Sequence, residues 1–179
     1  MENLPTYITS SEEILWGIAL VAVTLVIHGF GMIFTLQTSA SLKTRFGNST
    51  RFSAGMGILI LTSWIITLVH ILEVMTWAAF FQWKHCFPNY STAGYFAFLE
   101  YTTVGSSLNL PQNWRLLEGM IATAGLLGFA WSTGVLMTLA QEFQDQQMRR
   151  LQRGRVRQHE TPTEPTLPAP GSVPARREP

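Results

Sequence analysis

Long apolar runs alternate with short polar stretches along this chain. Ile14 to Leu36 reads ILWGIALVAVTLVIHGFGMIFTL, and Met56 to Phe80 reads MGILILTSWIITLVHILEVMTWAAF. Each is long enough to cross a hydrocarbon core of about 30 Å, which takes about 20 helical residues. A third run, Leu116 to Leu139, is equally apolar and carries Gly119, Gly125, Gly128 and Gly134. The pattern predicts transmembrane helices over 14–36, 56–80 and 115–140. The first is no signal peptide, which needs a basic start and a shorter apolar stretch; Glu2, Glu12 and Glu13 precede it, with no Lys or Arg. Ser10 or Ser11 suits its N-cap, and Glu12 and Glu13 suit the positive end of its dipole. Trp77 and Trp83 suit a membrane interface.

The intervening stretches differ from one another. Residues 37–55 are polar, with Lys43, Arg45, Arg51 and the pair Gly47-Asn48, and read as a loop. Gln82 to Thr92 holds Lys84, His85, Pro88 and Asn89 and reads as an aqueous turn. The next piece, 92–103, is apolar and aromatic, but as a helix it spans only about 18 Å and cannot cross a bilayer. VGSSLNLPQN, Val104 to Asn113, cannot be helical throughout, given Gly105 and Pro111. Residues 141–158 are polar and predicted to extend the third span as a helix. The Pro-rich stretch 159–179 lacks large apolar residues and is predicted to be disordered.

Charge then fixes an expected orientation. Only 13% of the 179 residues are charged and 47% are hydrophobic, against about 25% charged in soluble domains. Basic residues in short loops stay in the cytoplasm. Lys43, Arg45 and Arg51 put the first loop inside, and Arg149, Arg150, Arg153, Arg155 and Arg157 put the C-terminus inside. With three spans, the acidic N-terminus (1–13) lies outside, in a cell (inner) membrane. Arg149, Arg150 and Arg153 are candidates for contact with anionic lipid heads. Nothing points to nucleic acid. The single cysteine, Cys86, excludes an intrachain disulfide.

A full span, a half-length helix, bare backbone and another full span succeed one another. Non-helical backbone at membrane depth is tolerated only where it is buried in protein or lines water. At that point stand Thr102, Thr103, Val104 and Gly105, then Ser106, Ser107, Leu108, Asn109, Leu110 and Pro111. This resembles the potassium-channel pore signature, whose usual filter reads T-V-G-Y-G-D. The resemblance covers about residues 56–140 and is similar to a bacterial subset of two-helix pores with a "GWST"-like stretch in the last helix. Here that stretch is Gly128-Phe129-Ala130-Trp131-Ser132-Thr133, with Ala130 inserted. The first span lies outside this module.

The resemblance implies an all-α membrane protein with three transmembrane helices plus a re-entrant pore helix and filter loop. Four copies would surround a shared axis. Residues 102–107 would form the filter, with backbone carbonyls and a threonine hydroxyl replacing an ion's hydration shell and Val104 packing behind the strand. The implied function is passive movement of monovalent cations, K+ first and Na+ close behind, with no cofactor, no resident metal and no enzymatic activity.

The departures count as much. Ser106 replaces the aromatic, Ser107 the second glycine and Leu108 the acid. A non-glycine forced to positive φ costs about 1–2 kcal/mol. Altered or wide outer ion sites and weak or unusual selectivity are therefore expected. Glu100 is a candidate filter support, offset by one position from the acid some related channels use. Gly125, Gly128 and Gly134 are candidates for a gate or hinge, or for close helix packing.

His70 and Glu73 are three apart and share a helical face. With His28 they form a candidate intramembrane polar cluster, since ionisable groups within spans usually point inward towards a partner. Two alternatives follow. One is a non-conducting, channel-like scaffold or regulatory subunit. The other is an intramembrane enzyme or metal site using His28, His70 and Glu73.

Overall fold

A computed structural model describes residues 7–46 and 52–160. Helix α1 (Ser11–Phe46), helix α2 (Phe52–Trp83), the short helix α3 (Tyr90–Tyr101), a 3-10 turn (Gln112–Trp114) and helix α4 (Leu116–Glu160) follow in order, with no strand among the described residues. Three stretches are long and apolar enough to cross a membrane, the pattern of a multi-pass membrane protein: Ser11–Arg45, Gly55–Trp83 and Gln112–Arg153. Two compact units are distinguished, 1–143 and 144–179. In the second, the described residues 144–160 are helical.

The helices run longer than the apolar runs that predict them. The expected loop 37–55 is largely helical, because α1 continues to Phe46 and α2 begins at Phe52. Apolarity ends where water begins, but a helix ends only where its backbone bonding is interrupted. No glycine or proline intervenes between Leu36 and Gly47. The predicted disorder of 159–179 falls, from Thr161 onward, outside the described residues.

Capping fixes both ends of α3. It starts at Tyr90, two residues before the expected position, because Asn89 is its N-cap: extended, with its side chain accepting from the Thr92 amide at 2.8 Å. Such a cap satisfies one orphan amide of the first turn. α3 ends at Tyr101, not at Thr103, because Thr103 takes a positive φ of 61°.

The start of α4 is tied to α1. Ser10 Oγ accepts from the Glu13 amide at 3.1 Å, capping α1. The Glu13 carboxylate, fully buried, accepts from the Leu116 amide at 2.5 Å and from the Tyr7 hydroxyl at 2.7 Å. One acid at the start of α1 thus satisfies an orphan amide at the start of α4.

Around α3 the core is aromatic. Phe81, Phe87 and Phe96 meet pairwise at centroid distances of 4.9–6.3 Å. Trp77, fully buried, donates its indole N–H to Thr24 Oγ1 at 2.9 Å, joining α2 to α1. Lipid is as apolar as these side chains, so close packing and such interhelical bonds hold membrane helices together. The outward faces carry Leu15, Phe30, Trp64 and Leu68, all exposed.

Candidate functional site

Residues 102–106 leave the helix with every amide directed back into their own chain. Thr102 donates to Phe98 O (3.1 Å), Thr103 to Glu100 O (3.0 Å), and both Val104 (3.0 Å) and Gly105 (3.4 Å) to Leu99 O. The Ser106 amide donates to Glu100 Oε1 at 2.8 Å. Further on, Leu108 donates to Ser106 Oγ and Leu110 to Glu118 Oε1. Among the described residues, no hydrogen bond reaches the carbonyls of 102–105. Thr103, Val104 and Gly105 are exposed. Their acceptors are therefore free while their donors are spent.

Backbone angles suit that arrangement. Thr103 (61°) and Gly105 (79°) have positive φ, and Val104 between them does not. Backbone of alternating hand brings successive N–H groups to one side, and here the Val104 and Gly105 amides converge on the Leu99 carbonyl. Gly105 takes this conformation freely, whereas Thr103 bears about 1–2 kcal/mol for it. Ser107, at the place of the second glycine, stays out of the left-handed region. Val104, expected to pack behind the strand, is 71% exposed, because nothing in its own chain covers it.

The end of α3 lies against α2 and α4. The Tyr101 hydroxyl donates to Glu73 Oε2. Glu73 is ten residues before Trp83, the end of α2, or about 15 Å along the helix axis. A Cβ at Gly125 would collide with the Tyr101 carbonyl, and one at Gly128 would come within 2.9 Å of the Tyr101 hydroxyl and 3.3 Å of the His70 ring. Both glycines thus admit their neighbours to the surface of α4. Gly134 faces open space.

Behind α3 the three polar residues singled out from the sequence meet two more. His28 Nδ1 bonds Glu73 Oε1 at 2.8 Å. His70 Nδ1 bonds the Tyr101 hydroxyl at 2.8 Å, and His70 Nε2 bonds Ser132 Oγ at 3.0 Å. Ser132 Oγ reaches His28 Nε2 at 3.3 Å. With the Tyr101–Glu73 bond these contacts close a ring through α1, α2, α3 and α4. His28 and Glu73 are fully buried, Tyr101 and Ser132 nearly so. His70 stacks on Phe129 at 4.8 Å, and His28 lies 5.4 Å from Trp131.

No family model, no curated protein and no solved structure matches this chain. The site therefore rests on its own geometry.

The ring can be compared with two other chemistries. Ser132, His28 and Glu73 stand in the order of a nucleophile relay. Yet the hydroxyl is buried between two imidazoles, and the amides around it belong to helix α4, so no donor set for an oxyanion is evident among the described residues. His28, His70 and Glu73 also offer ligand atoms within 4.8 Å of one another, close enough for a metal ion. The same atoms are engaged with each other and with Tyr101 and Ser132, and a hydrogen-bonded network accounts for all of them.

Sequence reasoning found His28, His70, Glu73 and Glu100 but not Tyr101 or Ser132. Ser132 carried a signal: it lies four residues after Gly128, on the same helical face. Glu13 was seen only as an acid at the positive end of its helix, because an amide partner distant in sequence leaves no local mark. Arg149, Arg150 and Arg153 are exposed in the second unit.

Proposed function

We propose that this chain is the subunit of a tetrameric cation channel, passing K+ and, with weak discrimination, Na+. One observation carries the reading. Over residues 102–106 every amide is turned back onto α3 while exposed carbonyls of the same segment are unbonded. Main-chain oxygens presented without competing N–H groups favour a dehydrated cation and disfavour an anion. The depth of Tyr101 between α2 and α4 supports a re-entrant helix. The exposed Val104 and the open face at Gly134 offer surface for neighbouring copies around an axis. Ser106 and Ser107 leave the outer part of the filter without its usual aromatic and second glycine, which fits weak selectivity.

The test is cation flux from liposomes holding the purified full-length protein. A K+ flux is expected, with Na+ following. The double change Ser106→Tyr plus Ser107→Gly should raise K+ preference over Na+ by about tenfold, equivalent to about 1.4 kcal/mol. A fourfold assembly without flux would favour the scaffold alternative. An assembly lacking fourfold symmetry would remove the channel reading.

A further inference from the structure

We infer that the ring of His28, Glu73, Tyr101, His70 and Ser132 binds one exchangeable proton, and that its occupancy regulates the pathway at residues 102–107. The regulatory half rests on the channel reading; the proton half does not.

The ring has five bonds and needs five hydrogens. With Glu73 ionised and both imidazoles neutral, His28, His70, Tyr101 and Ser132 bring one each, and Glu73 brings none. One bond then has lone pairs on both sides, and a net negative charge is buried without a counter-charge. Both conditions are costly away from water. A single added proton removes both, because the ring becomes neutral and every bond acquires its hydrogen.

In the closed ring, His28 Nδ1–H and the Tyr101 hydroxyl donate to Glu73. His70 donates from Nδ1 to the Tyr101 oxygen and from Nε2 to Ser132, and Ser132 donates to His28 Nε2. Reversing the Ser132 hydroxyl exchanges the roles of the two imidazoles, so the proton is shared between α1 and α2.

Few other charges compete. In α1 no charged residue but His28 lies between Glu13 and Lys43, and α2 carries only His70 and Glu73. α4 has none between Glu118 and Glu142 and faces the ring with Ser132, Phe129 and Trp131. α3 brings Tyr101; its Glu100 carboxylate is engaged by the Ser106 amide.

Tyr101 is the last residue of α3, directly before Thr102. In the closed ring its hydroxyl both donates to Glu73 and accepts from His70; with one hydrogen fewer, one of the ring's five bonds is lost and that hold weakens. The closed ring carries the extra proton, so this added hold is lost as pH rises.

The decisive variant is Glu73→Gln. A carboxamide closes the same ring without an added proton: its oxygen accepts from His28, its N–H donates to Tyr101, and the Tyr101 hydroxyl turns to His70. K+ flux through the full-length protein in liposomes is expected to fall about tenfold or more between about pH 6 and about pH 9, the size that one pK unit gives. The Glu73→Gln variant should change less than about twofold over the same range, about 0.4 kcal/mol on that scale. Equal pH profiles would overturn the regulatory half. Melting temperature in detergent gives the independent readout: it should fall with rising pH for the natural protein and stay level for the variant. Parallel melting curves would overturn the proton site. Absent flux from both proteins, with diverging melting curves, would remove the channel reading and the regulation while retaining the proton site. Should the variant not fold, nitrogen-15 spectra of the histidines in the natural protein decide: a loss of one shared proton from His28 and His70 is expected, and imidazole signals unchanged with pH would overturn the inference.

Discussion

Gly128 has no side chain of its own, yet it decides whether three others can meet. A methyl group there would press on the Tyr101 hydroxyl at 2.9 Å, the His70 ring at 3.3 Å and His28 Nδ1 at 3.4 Å. Overpacking of that kind typically costs about 1–3 kcal/mol. Gly128→Ala should therefore lower the melting temperature of the detergent-solubilised protein, whereas Gly134→Ala, facing open space within the chain, should leave the isolated subunit unchanged. Cys86 behaves differently from an exposed thiol. Burial pushes it up to about 11, with the nearby Lys84 ammonium opposing. The thiolate is the nucleophile, so alkylation by a maleimide should be slow at neutral pH. The rate should grow about tenfold per pH unit until the thiol titrates; a fast reaction at pH 7 would contradict the half-buried placement.

Elements are joined here by carboxylates that accept amides and by one lysine among tryptophans. Glu100 on α3 holds the Ser106 amide. Glu100→Ala leaves that N–H unsatisfied, a loss of about 1–3 kcal/mol, while Glu100→Gln keeps an accepting oxygen. Cation selectivity measured in liposomes should collapse for the alanine variant and largely survive for the glutamine variant. At the other end of the helices, Lys84 Nζ lies 4.9, 4.8 and 4.9 Å from the rings of Trp16, Trp83 and Trp114 and pairs with Glu12 at 3.2 Å. It connects α1, the end of α2 and the turn before α4. Each cation–π contact is worth about 0.5–1 kcal/mol when exposed. Lys84→Met should destabilise by about 1–2 kcal/mol in thermal unfolding, and Lys84→Arg should recover most of it.

On the scale of the whole molecule, charge sets the expected orientation. Lys43 and Arg45 stand at one end of α1, where Lys43 pairs with Glu142 of α4, while Glu12 and Glu13 stand at the other. Under the positive-inside tendency a reporter fused to the N-terminus should be accessible from outside the cell and one fused to the C-terminus only from inside. The opposite labelling would overturn the expected orientation.

Three membrane helices and a half-length fourth were legible from hydropathy and length alone, because apolar runs must match the thickness of a bilayer. Their ends were not: hydropathy locates the membrane boundary, whereas α1 runs on to Phe46 and α3 ends where the positive φ of Thr103 interrupts helical bonding. The residues of the candidate site divide the same way. Thr102 to Gly105 stand together in sequence and showed themselves as a motif. His70 and Glu73 share a helical face and could be paired by spacing. His28, Tyr101 and Ser132 come from three other helices, and their union depends on α4 presenting Gly125 and Gly128 where α3 arrives. Local spacing is written in the chain, but which helix faces meet is decided only when they pack. The hydrogen count that makes five side chains one proton site could be taken only from the folded arrangement.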